Sequence, residues 1–130
     1  MANEELIAEA MKITREYVNP QNVSVGHVGC ALVSEGGKLH LGVSVHVNCD
    51  VGFCAEYGAV SSMLVAGEYK IEKIVSVHIG GTIFPPCGRC REFIYQIDAS
   101  NLDTEVIVEN DKTMLLRELL PEMWQMRPLK

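Results

Sequence analysis

The spacing of apolar positions changes several times along the chain, and each change predicts an element. Over 3–18, Leu6, Ile7, Ala10, Met11, Ile13 and Tyr17 recur at helical spacing, with Glu5, Glu9, Lys12 and Glu16 on the other side. This predicts an amphipathic helix stopped by Asn19-Pro20. Residues 27–33 (His-Val-Gly-Cys-Ala-Leu-Val) read as a buried strand. After the turn Ser34-Glu35-Gly36-Gly37, residues 39–47 alternate, with Leu39, Leu41, Val43, Val45 and Val47 on one face and His40, Gly42, Ser44 and His46 on the other. The two strands predict a hairpin. A helix over about 54–66 follows, ended by Gly67. Residues 73–79 and 104–108 read as further strands, with a helix over about 88–97 between them. A short strand near 112–115 and a helical turn at 117–120, cut by Pro121, complete the pattern.

An early hairpin followed by strands alternating with helices predicts an α/β fold. The expected form is a three-layer α/β/α sandwich on a mixed, roughly five-stranded sheet. The 130 residues suit one domain over 1–130. A content of 48% apolar and 22% charged residues predicts a folded chain rather than a disordered one. No apolar run is long enough to cross a membrane, and the start of the chain lacks the basic, then apolar, pattern of a secretory signal. A cytoplasmic location with no membrane contact is the expectation.

Charge narrows the partners. Eleven basic residues against seventeen acidic ones give a net charge of −6, and no Lys/Arg cluster stands out. Gripping a phosphate backbone requires a basic face, so a nucleic-acid polymer is disfavoured and a small molecule is expected. The five cysteines are odd in number in a chain expected to be cytoplasmic, which favours metal or catalytic use over disulfides.

Two short segments at strand-to-helix junctions carry the chemistry: Cys54-Ala55-Glu56 and Pro86-Cys87-Gly88-Arg89-Cys90. Such junctions are the usual place for sites in open α/β sheets. Two cysteines three apart at a helix start bring both sulfurs within reach of one ion, and Cys54 can supply a third. Three protein ligands leave a fourth position free for water, the layout of a catalytic zinc site. Three thiolates and one Zn²⁺ sum to a net negative charge, which two helix N-termini offset. Arg89 or Arg91 is placed to add a charge-assisted hydrogen bond. Glu56, two residues past Cys54, is positioned to move protons between water and substrate.

Together these segments resemble the signature of the cytidine deaminase superfamily, Cys-Ala-Glu followed by Pro-Cys-x-x-Cys. His27-Val28-Gly29-Cys30-Ala31-Leu32 is similar to the family's Val-Gly-Ala-Ala-Leu strand, and Leu119-Leu120-Pro121-Glu122-Met123-Trp124 to its Leu-Leu-Pro-x-x-Phe ending. Pro-Cys-Gly-Arg-Cys-Arg, with the later Arg117-Glu118-Leu119-Leu120-Pro121, is closest to the blasticidin S deaminase type. The resemblance implies one zinc ion per subunit on Cys54, Cys87 and Cys90, with Glu56 as the proton-transferring group. It implies hydrolytic deamination of cytidine, deoxycytidine or a related nucleoside to the uracil form, and a homo-oligomer, by likeness a tetramer. It further implies substrate contacts from the backbone N–H of Ala55 and from Ser44, His46, Phe84 and Trp124, the last closing a site that is often a neighbouring subunit's. The alternatives are a deaminase of blasticidin S or another modified cytosine or isocytosine compound, and a zinc-containing binding protein without turnover.

The chain departs from the family in four places. Ser44-Val45-His46 stands where Asn-x-Glu grips ribose, and Gly26 where a Phe stacks on the base. Tyr57 stands for the Arg that supports a zinc thiolate, a role for which Arg89 is the candidate substitute, and Glu92 for a Gln. Ser44 and His46 read equally as solvent-facing strand residues or as sugar contacts. Trp124 reads as a core or interface aromatic or as a lid. Cys30 and His27 read as core residues, and Cys49 as a loop thiol beside the pocket.

Overall fold

The structure, a computed structural model, describes residues 1–127, so the last three positions of the expected 1–130 unit lie outside the described residues. Helix α1 (Asn3–Lys12) leads into β1 (Tyr17–Val18), β2 (Ser24–Ser34) and β3 (Leu39–His46). Then come α2 (Ala55–Val65), β4 (Ile71–His78), α3 (Gly88–Ile97), β5 (Glu105–Glu109), β6 (Lys112–Leu115) and α4 (Leu116–Leu119). The six strands form one mixed sheet. β3 and β4 flank β2 antiparallel, β4 and β5 run parallel, and β5 and β6 run antiparallel.

The alternation along each central strand sorts the core into two layers. Cys30, Leu32, Ile74, Val106 and Val108 point to the face covered by α2, α3 and α4, with Ala59, Val60, Met63 and Ile94. Ala31, Val33, Val75, Val77 and Ile107 point to the opposite face and meet Leu6 and Ala10 of α1. This period of two is what a sheet buried on both sides requires. The result is a three-layer α/β/α arrangement with a single helix on one side. Buried Asn101 ties the layers together: its side chain accepts from Ile71 N–H (2.8 Å) and donates to the carbonyls of Tyr69 (3.1 Å) and Ile94 (3.0 Å).

Two expectations change. The first helix ends at Lys12 rather than 18. The Thr14 hydroxyl donates to the Met11 carbonyl (2.8 Å), and Tyr17 and Val18 pair with Val25 and Ser24 of β2. Ladder pairing suits an aromatic and a β-branched residue better than a last helical turn, and it supplies the sixth strand.

The second change concerns β3. Its apparently polar face is the inner one. His40 and Ser44 are buried, and α2 lies directly on Gly42. A Cβ added at Gly42 would fall 2.2 Å from the Ala59 nitrogen and 2.4 Å from the Ala55 oxygen. Glycine therefore permits a helix-on-strand approach that any side chain would block. This approach brings the start of α2 over the sheet.

Candidate metal and active site

Cys54 and Cys87 are the residues immediately before α2 and α3, both in extended backbone conformation. Cys90 is the third residue of α3. The first-turn N–H groups of a helix have no intrahelical acceptor, so both helix starts turn donors toward the sulfurs. The three Sγ atoms lie within 4.8 Å of one another, with Cys54 and Cys87 3.8 Å apart and Cys87 and Cys90 3.4 Å apart. Tetrahedral zinc with sulfurs at about 2.3 Å requires them about 3.8 Å apart. The spacing fits that ion.

The electrostatics make the same demand. Burial pushes the Cys54 and Cys90 thiols up, and Glu56 adds to the push. Burial acts on Cys87 too. The backbone N–H of Cys90, the Cys90 and Cys54 thiols, and the backbone N–H of Arg89 outweigh it and bring Cys87 down. Three sulfurs beside a carboxyl do not all ionise without a cation, so the donor set suits zinc, which binds thiolates. Cys90 is buried, whereas Cys54 and Cys87 line an open cavity of about 500 Å³.

Glu56 lies on the wall of this cavity and is only 4% exposed. Burial raises its carboxyl above the usual range, while its own backbone N–H, Ser76 and Cys90 pull it back. A carboxyl lifted toward neutrality is suited to accept and return a proton. Ala55, fully buried, lines the cavity as the first residue of α2, with its N–H among the unpaired donors of that first turn.

The other candidates divide. Ser44 is buried in the cavity wall, where its hydroxyl accepts from Val28 N–H (3.0 Å) and keeps its own hydrogen free to donate. His46 sits exposed at the rim, its Nδ1 3.5 Å from the Ser24 hydroxyl. Phe84 also lines the cavity, its ring tilted against His78 at 5.5 Å.

Arg89 also lines the cavity, but its guanidinium lies 5.0 Å over the Tyr57 ring, which in turn stacks on Phe93. Its contribution to a sulfur is the backbone N–H toward Cys87. The Arg91 side chain donates to the carbonyls of Pro86 (2.7 Å) and Leu119 (2.9 Å), bracing the loop before α3 against α4. Trp124 is 61% exposed and does not line the cavity. Cys49 is exposed in a 3-10 turn, in the left-handed region at φ 62°, and Cys30 is fully buried under the site.

Sequence reasoning missed Phe53, which precedes Cys54 and bridges to Val45, and Ser76 on β4. A signal for Ser76 was present: it is a lone hydroxyl in the apolar run Ile74-Val75-Ser76-Val77.

Comparisons with known proteins agree with this geometry. Residues 1–105 match the family model described as the cytidine and deoxycytidylate deaminase zinc-binding region. Cytidine deaminase 6 of Arabidopsis thaliana is 32% identical over 126 residues, 90% of this chain and 41% of that protein. The cytidine deaminase of Mycobacterium tuberculosis is 28% identical over 96 residues, 73% of this chain and 70% of that one. The crystal structure of cytidine deaminase from Burkholderia pseudomallei superposes with a TM-score of 0.77 at 27% identity, covering 95% of this chain and all of the other. The chain spans about two fifths of the length of the Arabidopsis thaliana and two Shewanella relatives.

Proposed function

Since this chain belongs to the cytidine and deoxycytidylate deaminase family, we propose that it is a zinc-dependent hydrolase that converts a cytosine-type nucleoside to its uracil form with release of ammonia. One observation carries the reading: three thiols are spaced for a single ion, and two of them, Cys54 and Cys87, line one open cavity with the buried carboxyl of Glu56. Cys54, Cys87 and Cys90 would hold the zinc ion, which would supply Lewis-acid activation of water.

The chain's own residues do the rest. Glu56 takes a proton from the attacking water and delivers it to N3 of the base as the oxygen bonds to C4. It then takes the remaining proton from the new C4 hydroxyl and passes it to the amino group, so that the C4 carbonyl forms as the C4–N bond breaks and ammonia leaves. The Ala55 N–H holds the base carbonyl, as a helix N-terminus favours negative charge. Phe53 and Phe84 give the ring apolar walls. Ser44 and His46 meet the sugar side. A hydroxyl and an imidazole in place of an amide and a carboxylate favour a modified cytosine compound such as blasticidin S as the second reading.

The net charge of −6 supports a small-molecule substrate over a nucleic-acid polymer. Among the described residues no helix is long and apolar enough to cross a membrane, in keeping with a cytoplasmic enzyme. Exposed Trp124, which does not line its own cavity, supports a homotetramer in which this aromatic covers a neighbour's site; light scattering tests the oligomeric state.

The decisive assay incubates zinc-loaded protein with cytidine, deoxycytidine, cytosine and blasticidin S and measures ammonia. Release from none of them refutes the substrate class. Glu56→Gln should lower turnover by roughly 10²–10⁴-fold with zinc retained, and equal turnover in that variant refutes the mechanism.

A further inference from the structure

Ser76 is 3% exposed, and its hydroxyl oxygen, shielded from solvent, has no hydrogen-bond partner among the described residues. A buried unpaired hydroxyl costs about 1–3 kcal/mol, and native proteins pair such groups. Its neighbours on β4 are Ile74, Val75 and Val77, so an aliphatic residue would satisfy packing better. The backbone is already satisfied, since the Ser76 carbonyl accepts from Phe84 N–H (2.9 Å). Something other than local folding calls for a hydroxyl here.

The sheet register says where it points. Ser76 is paired with Cys30 across β2 and β4, on the face that carries α2. It lines the same cavity as Glu56. Neither water nor a substrate reaches the shielded oxygen, which leaves protein groups as its partners. Two ionisable groups lie beside it, Glu56 on the same cavity wall and Cys30, its register partner on β2. Burial and the adjacent Glu56 charge hold Cys30 as a neutral thiol, a weak donor. Ser76 is the stronger donor facing the carboxyl.

We propose that Ser76 is a positioning residue for Glu56: its hydroxyl donates to the carboxylate and holds it in the orientation that proton transfer requires. This assignment rests on the deaminase reading above. Glu56 sits in the first turn of α2, where its own backbone N–H and the Cys90 thiol act on the carboxyl from the helical layer. A donor from β4 restrains it from the sheet side, so the carboxylate is fixed by two different elements. Proton transfer at hydrogen-bond range depends on such restraint, because a misplacement of about 1 Å costs on the order of a hundredfold in rate.

The test compares zinc-loaded Ser76→Ala and Ser76→Thr with the parent. Ser76→Ala should lower kcat by about ten- to a hundredfold, as expected for a lost hydrogen bond to a charged group, with KM within about twofold. Its Tm should fall only slightly, because the substitution removes one oxygen and leaves the apolar packing of β4 in place, and its zinc content should be full. Ser76→Thr, which keeps the hydroxyl, should recover most of kcat. Turnover of Ser76→Ala within about twofold of the parent overturns the proposal, and so does equal impairment of both variants with a markedly lowered Tm, the mark of a packing role.

A readout independent of substrate is the crystal structure of the zinc-loaded protein. It should place Ser76 Oγ within about 3.2 Å of a Glu56 carboxylate oxygen. A separation beyond about 4 Å overturns the proposal whatever the enzyme acts on. A parent protein that releases no ammonia sinks the deaminase reading, and this distance still decides the Ser76–Glu56 contact.

Discussion

Replacing Gly42 with Ala should uncouple the two halves of the metal site without touching a ligand. The added Cβ would sit 2.2 Å from the Ala59 nitrogen, 2.4 Å from the Ala55 oxygen and 2.8 Å from the Gly58 carbonyl carbon. All three atoms are α2 backbone, so no side chain can rotate away. Ordinary contact requires about 3.5 Å, so helix and strand must part by about 1 Å. Overpacking of this kind costs typically about 1–3 kcal/mol. The start of α2 carries Cys54, Ala55 and Glu56, whereas Cys87 and Cys90 stay with α3. A shift of about 1 Å at Cys54 is large beside the sulfur spacing of 3.8 Å, and misplacement by that amount costs on the order of a hundredfold in rate. The expected result is a lower Tm, weaker zinc retention under chelator competition, and kcat/KM reduced about a hundredfold. Gly88→Ala is the control, since a Cβ there meets nothing within 4 Å. It should be neutral or stabilising by up to about 1 kcal/mol. Parent-like Tm, zinc retention and turnover in Gly42→Ala would refute the close-approach reasoning.

Chelation should lower stability as well as abolish turnover, because the ion joins two helix starts. At free zinc a thousandfold above Kd, its removal costs about 4 kcal/mol, and differential scanning calorimetry with and without zinc should show a matching fall in Tm. Asn101→Ala removes four side-chain bonds, the weakest a 3.4 Å contact from the Thr104 hydroxyl, and leaves Ile71 N–H buried and unpaired, so urea unfolding should show a loss of at least about 3 kcal/mol, and a loss below about 1 kcal/mol would contradict the bracing role. Asp98 accepts from Ser100 N–H (2.8 Å) and from the Ser100 hydroxyl (2.6 Å), which hold its carboxyl below the usual range. Its folded pKa is depressed, so its stabilisation is present above the unfolded value of about 3.9 and is lost as pH falls through the folded one. Asp98→Ala should therefore cost roughly 0.5–1 kcal/mol at neutral pH, and the gap to the parent should close in acid. A gap that persists in acid would refute the assignment.

Local spacing wrote most of this fold into the chain. Helix α3 begins and ends where its apolar spacing and the preceding Pro85-Pro86 place it, and β6 falls on 112–115. The metal motif was legible because Cys-x-x-Cys at a helix start is a local geometry, and Cys54-Ala55-Glu56 opens a helix in the same way. Short-range order cannot say which side of a strand faces inward. β3 shows this, because His40, Gly42 and Ser44 look like a solvent face and instead lie under α2. Nor does it assign long side chains: Arg89 turns to Tyr57 and Arg91 to two carbonyls.

By itself the sequence determined the element order apart from β1, the α/β class and the three sulfurs with their neighbouring carboxyl, since each follows from periodicity or from spacing within one turn. Only the tertiary structure decided which groups meet across elements. It brought Cys54 to within 3.8 Å of Cys87, set Ser76 of β4 on the cavity wall with Glu56 of α2, and left Trp124 off that wall. These relations depend on how closely a helix can approach a sheet, and here the absence of a single Cβ at Gly42 sets that distance.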